Sequence, residues 1–178
     1  KSLVRPAHVR RADGVEAVRF EMLAIVREFA LEKLAETDDF ARAHDRFANY
    51  IVALAAEVMA EFPLGPASGD ASFDVLGVDR EPTLAALDWL YRSGNHRTYV
   101  QAAAALAPHW FARGALRDAR SILERARMLQ AHADPADVAR VTLANGMVAI
   151  QQGDFEVGEA LLYSGLELAR STGQEDWI

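Results

Sequence analysis

The feature that most constrains this chain is a helical repeat punctuated by glycine in its second half. Gly114 and Gly153 each separate two helix-like stretches and lie 39 residues apart. At that offset Leu116 meets Phe155, Ala119 meets Gly158, Leu123 meets Leu162, Ala126 meets Gly165 and Leu129 meets Leu168. Gly94 and Gly173 mark further helix ends on either side. A period of this length, with small and large apolar residues at fixed places, predicts stacked helix–turn–helix units. Such arrays bind along a surface more often than they carry out chemistry.

The helices follow from periodicity and punctuation. Met22, Val26, Phe29 and Lys33 lie along one line, predicting a helix over 22–36. Thr37 reads as an N-cap, with Asp38 and Asp39 in the turn after it. The next helix, 38–62, places Phe40, Ala43, Phe47, Tyr50, Ile51, Leu54, Val58 and Phe62 on one face and stops at Pro63. From Thr83 onward helices are expected at 83–93, 97–113, 116–130, 135–152 and 155–172. Glycine suits the left-handed position just past each helix end. Asp134 and Asp154 read as N-caps, Pro135 fits a first helical position, and Asp137 sits where a carboxylate can reach back. Pro108 should kink or split its helix.

Ahead of these helices, residues 1–23 read as a β-hairpin. Leu3-Val4 and Val18-Arg19-Phe20 are the extended parts, and Pro6, Asp13 and Gly14 lie in the polar stretch between them. Two strands alone are marginal in water and need something to pack on. Residues 63–82 are rich in proline and glycine and read as a linker.

Composition excludes several functions. With 51% hydrophobic and 25% charged residues the chain can bury a core. It has no cysteine, which removes disulfides, thiolate metal sites and cysteine nucleophiles and fits a cytoplasmic setting. No apolar run reaches the ~20 residues of a membrane span. The net charge of −7 is unevenly spread: residues 1–20 carry five basic and two acidic side chains, so the remainder is strongly acidic. An acidic body is repelled by phosphate backbones, so direct nucleic-acid binding is not expected of it. Arg5, Arg10 and Arg11 form a basic hairpin that reads first as a solvated loop; if it makes a contact, an intramolecular one is favoured over DNA. The absence of an initiator Met, and the fresh apolar start at Asp176-Trp177-Ile178, read as an excised piece cut inside a longer array.

No catalytic, cofactor or metal site is expected. There is no phosphate-binding glycine motif of either common kind. His8, His44, His96, His109 and His132 are scattered without paired spacing. Arg117, Arg120, Arg125 and Arg127 alternate with Asp118 and Glu124, which reads as a solvated polar face. Tyr99, His109, Trp110, Arg113, Asn145 and Gln152 fall on the first-helix side of adjacent repeats, the side that commonly lines a concave surface. They are the candidate effector or partner surface, with Trp110 also reading as an inter-repeat core residue.

Two stretches resemble a known family. Arg19-Phe20-Glu21-Met22-Leu23 with Val26-Arg27-Glu28-Phe29-Ala30-Leu31-Glu32-Lys33-Leu34 is similar to the "RFxMLETIREYALERL" segment of large bacterial transcription regulators. These are the signal-transduction ATPases with numerous domains, including the maltose-regulon activator and LuxR-type and antibiotic-regulator-type proteins. Thr83-Leu84-Ala85-Ala86-Leu87-Asp88-Trp89 resembles that family's "NLRAALDW", and Gln152-Gly153-Asp154-Phe155 its "QGDYxxA" turn. The repeat also resembles the tetratricopeptide pattern, with Gly146, Gly158 and Gly165 at its small positions. Ala107, Ala119 and Ala126 hold those places in the preceding copy, where Trp110 is the large aromatic.

The resemblance implies a winged-helix remnant over 1–36, a connecting long helix over 37–62, the linker 63–82, and tetratricopeptide-like repeats over 83–178, truncated at the C-terminus. The expected class is all-α. The implied role is a non-catalytic sensor domain in the cytoplasm that binds a protein, another domain of its own chain or a small effector. ATP is implied only for a missing upstream domain. The other reading is a self-associating structural or adaptor module, a homo-oligomer without small ligand.

Overall fold

The computed structural model describes residues 3–10, 16–61 and 80–173. The fold is all-α, with seven α-helices and one β-hairpin among the described residues. Strands β1 (Val4–Arg10) and β2 (Glu16–Met22) pair antiparallel, from Val4 opposite Met22 to Arg10 opposite Glu16. The strands are longer than the sequence suggested. Pro6 lies inside β1 opposite Phe20, a place proline can take because each strand of a two-stranded sheet has a free edge. Asp13 and Gly14, expected in the turn, lie outside the described residues.

The helices are α1 (Ala24–Ala35), α2 (Phe40–Glu61), α3 (Arg80–Arg92), α4 (His96–Arg113), α5 (Leu116–Met128), α6 (Pro135–Gln151) and α7 (Phe155–Ser171). A single 3₁₀ turn, Gln130–His132, joins α5 to α6. Each helix lies within three residues of its expected bounds at either end. Helix α3 takes up residues 80–82 of the expected linker. Pro82 falls in its first turn, where a missing N–H breaks no helical bond. The linker's residues 62–79 lie outside the described residues. Helix α4 runs unbroken through Pro108, so the proline does not split it.

The glycine punctuation works as the sequence indicates. Gly94, Gly114, Gly153 and Gly173 have φ of 76°, 65°, 84° and 70°. At Gly114 the amide donates to Phe111 O and the next amide, of Ala115, reaches back to Trp110 O. Gly153 and Asp154 repeat this onto Ile150 O and Ala149 O. This bond pair satisfies carbonyls that a helix end leaves open, and it needs a left-handed residue at its centre.

The helices pair as α2 with α3, α4 with α5 and α6 with α7, and the first helices stack α2 on α4 on α6. Helix α2, read from the sequence as a connection, therefore packs against α3 and α4 as α4 packs against α5 and α6. Its core face is Ala48, Ile51 and Ala55, while Phe47 and Tyr50 are exposed; the expected stripe is thus rotated. The main core joins these three residues to Ala86, Leu87 and Leu90, to Val100 and the Ala102–Ala104 run, and to Leu123 and Val148.

Small residues set the helix spacing. Ala107, Ala119 and Ala126 are buried between α4 and α5. In α6 and α7 glycine takes their places, and the helices approach closely. A Cβ on Gly158 would lie 2.7 Å from the Ile150 side chain and 3.0 Å from Gly146 O. One on Gly165 would meet Leu143 at 2.7 Å.

Charged pairs tie one unit to the next at nearly one repeat of separation. Arg80 Nη2 donates to Asp118 (2.9 Å), Arg97 to both Asp134 oxygens (2.8 and 3.0 Å) and Arg120 Nη2 to Asp154 (3.0 Å). The polar face expected on α5 is therefore not simply solvated. These bonds also explain why the capping aspartates do not cap. Asp134 and Asp154 hold the N-cap positions, yet neither makes a side-chain cap bond. Thr37 does not cap either; its hydroxyl donates back to Leu34 O at 2.7 Å. Asp39 precedes α2 and pairs with Arg42.

Candidate functional site

Two surfaces were expected to carry function, and the structure treats them differently. In the helical array, Tyr99, His109, Trp110 and Asn145 are not on a surface. They are buried, Tyr99 to 1% and Trp110 to 4% exposure. The cause is the stacking of first helix on first helix, which turns that side of α4 and α6 into the interior. Trp110 accordingly fills the core position that its register also suggested. The Tyr99 phenol donates to Ile122 O at 3.3 Å, which links α4 to α5, and burial pushes its pKa up to about 12. The Arg113 side chain lies outside the described residues.

Gln152 is exposed, but it serves the turn between α6 and α7. Its Oε1 accepts from Arg120 Nη1 at 2.9 Å and its Nε2 donates to Leu116 O at 3.3 Å. Arg120 thereby joins Glu124, Gln152 and Asp154 in one network. The signal for it lay in the sequence as Arg–Asp pairs spaced by roughly one repeat.

Two aromatic clusters escaped the sequence reading. Phe40, His44 and Trp89 gather where α2 meets α3, with His44 and Trp89 centroids 4.6 Å apart. Trp89 Nε1 donates to Asp45 at 2.8 Å, and His44 Nδ1 donates to Phe40 O at 2.9 Å. This cluster closes the hairpin whose connection is longest. Tyr91, His96, Tyr99 and His132 form the second, with the Arg125 guanidinium 4.5 Å over the Tyr91 ring. Residues far apart in sequence build both, so no local pattern reveals them.

The second expected surface is the hairpin. Arg5 is exposed in β1 and Arg10 closes that strand opposite Glu16; Arg11 lies outside the described residues. The more telling feature is apolar. Leu3, Phe20, Met22, Leu23, Ile25, Phe29 and Leu31 are all exposed, Phe20 and Ile25 to 74%. Helix α1 buries no residue at all. Its apolar side chains spread around the axis instead of forming one stripe. The Arg27–Glu81 ion pair, 3.3 Å long and exposed, ties α1 to the start of α3. An exposed pair of this kind contributes little stability. Exposed apolar residues in this number are unusual on a folded surface.

Among the described residues no helix is long and apolar enough to cross a membrane, and no group of three or more His, Asp or Glu is placed to hold a metal ion.

No protein-family profile matches the chain. No solved structure matches it either. Similarity is found to proteins of Mycobacterium bovis and Mycobacterium tuberculosis, each named as a candidate HTH-type transcriptional regulator. Each is 31% identical over 165 residues, an alignment that covers 87% of this chain and 18% of the relative. The chain thus spans about a fifth of the length of these relatives, and what it is similar to is a stretch of bacterial proteins named as transcription regulators.

Proposed function

We propose that this chain is a non-catalytic regulatory arm of a bacterial transcription regulator. The hairpin and α1 form the edge of a winged-helix domain whose remainder covers their apolar face. The tetratricopeptide-like array from α2 to α7 transmits a signal by binding a protein, a neighbouring domain of the same chain or a small effector. The observation that carries this reading is the 31% identity to named transcription regulators along 87% of the chain. The exposure of Leu3, Phe20, Met22, Leu23, Ile25, Phe29 and Leu31 supports it, because an adjoining domain is the simplest cover for such residues. The acidic body supports a reading in which DNA readout lies elsewhere in the regulator.

The test uses the chain with the purified segment that precedes it in the whole protein. Binding to the folded form raises the melting temperature, so that segment should raise it with saturation. The chain alone should show no duplex binding by fluorescence anisotropy. Tight binding that weakens steeply with salt would sink the assignment of DNA contact to another domain. The same apolar face also fits self-association. A mass that grows with concentration, together with no response to the preceding segment, would favour that second reading.

A further inference from the structure

Helix α5 carries four arginines and two carboxylates, and both carboxylates are already engaged. Asp118 accepts from Arg80 of α3 at 2.9 Å, and Glu124 accepts from Arg120 at 2.8 Å. Arg120 is held further by Asp154. Among the described residues Arg117, Arg125 and Arg127 pair with no carboxylate. The Arg125 guanidinium lies over the Tyr91 ring, a contact that leaves its charge uncompensated.

These cations share one outward face. Arg117, Ser121, Glu124 and Met128 follow a single line of the helix, with Arg125 and Arg127 on either side of it. Arg117, Ser121, Arg127 and Met128 are exposed, Met128 to 80%. Arg125 and Arg127 have a local explanation, because the last turn of a helix favours positive charge. Arg117 has none. It stands in the first turn, where the helix dipole opposes a cation. The chain as a whole has a net charge of −7, so the strip on α5 is a local reversal of sign.

We propose that the outward face of α5 docks an acidic polypeptide segment, whose carboxylates meet Arg117, Arg125 and Arg127 and whose apolar side chain covers Met128. Charge complementarity selects this occupant. A duplex would bring its phosphates against the acidic body as well as against α5, whereas a short acidic segment touches only the strip. The exposed Met128 supplies an adaptable apolar contact at the end of the strip. The proposal rests on the reading of the array as a protein-binding arm and names the partner's chemistry.

The test is fluorescence anisotropy of a labelled glutamate peptide with one central leucine, titrated with the chain at low salt. The peptide should bind, and binding should weaken as salt rises. Arg117→Glu combined with Arg127→Glu should weaken it roughly tenfold, whereas Arg5→Glu on the hairpin should not. Met128→Ser should weaken the leucine peptide and leave an all-glutamate peptide unchanged. If the double reversal does not fold, Arg117→Gln with Arg127→Gln replaces it with the same readout. No binding, or equal binding by the α5 variants, would overturn the proposal. So would tighter binding of a DNA duplex to the same face, which would make nucleic acid the occupant. A mass that grows with concentration and is abolished by the same reversal would overturn it in favour of a second copy. The preceding segment is expected on the hairpin and α1, so its titration and this one fail separately.

Discussion

The α4–α5 and α6–α7 hairpins occupy equivalent places in one register, yet they are held together differently. In α4–α5 the small positions are Ala107, Ala119 and Ala126, and neighbouring helices bury the pair on both sides. In α6–α7 they are Gly146, Gly158 and Gly165, and backbones nearly touch where a Cβ would stand. The inner hairpin draws its stability from burial by its neighbours. In the outer one the two helices approach closely at these glycines. A repeat thus need not conserve its chemistry to conserve its geometry.

The sharpest way to break this comparison is to remove the same side chain from both. Leu123→Ala empties a fully buried site and should cost about 2–5 kcal/mol in urea unfolding. Leu162→Ala, at the half-buried equivalent, should cost clearly less. Equal losses would mean that the neighbour does not matter. Next in size, Gly158→Leu forces side-chain atoms into Ile150 and the Gly146 carbonyl, and should cost on the order of 1–3 kcal/mol by overpacking. An unchanged melting temperature would refute the close approach.

Smaller effects concern two carboxylates, one in each hairpin. The hydrogen bond from Arg80 holds Asp118 below the ordinary carboxyl value of 3.8, helped by the guanidinium's charge and opposed by burial. Its contribution to stability is present above that value and lost as pH falls through the folded one. Asp137 is the reverse case, because burial raises it despite Arg140. Its contribution is full below 3.8 and lost as pH rises through the folded value. NMR titration of the side-chain carboxyls should place Asp118 below 3.8 and Asp137 above it. Asp118→Asn should then flatten the acid limb of the stability curve. The smallest expected signal is spectroscopic. At pH 11 the Tyr99 phenol, with its pKa near 12, stays largely protonated, so Tyr99→Phe should remove little tyrosinate absorbance there.

Backbone punctuation was legible in the sequence because it is local. A glycine past a helix end reports its own φ, and all four did so. Side-chain partners were less legible because distant groups compete for them. Asp134 and Asp154 stand at helix starts, but charged arginines from the preceding unit are stronger partners than the local amides. Four residues of the expected partner surface lie buried for a related reason. Tyr99, His109, Trp110 and Asn145 look like a polar–aromatic surface in one helix at a time, and only the stacking of α2, α4 and α6 turns them inward. On α2 the apolar stripe was wide enough to admit two registers, and the core took the one through Ala48, Ile51 and Ala55.

The arginine–aspartate ties, each spanning between 34 and 38 residues, also bear on how the chain reaches its fold. These ties join α3 to α5, α4 to α6 and α5 to α7 across about one repeat each, a local pattern that lets such helices zip without first closing a long loop. The α2–α3 hairpin is different, because 18 residues separate Glu61 from Arg80. Closing that gap is an entropic cost that grows only slowly with length, but it comes before any contact rewards it. The meeting of Trp89 with Asp45 and His44 is therefore the step at which the zipper has to wait.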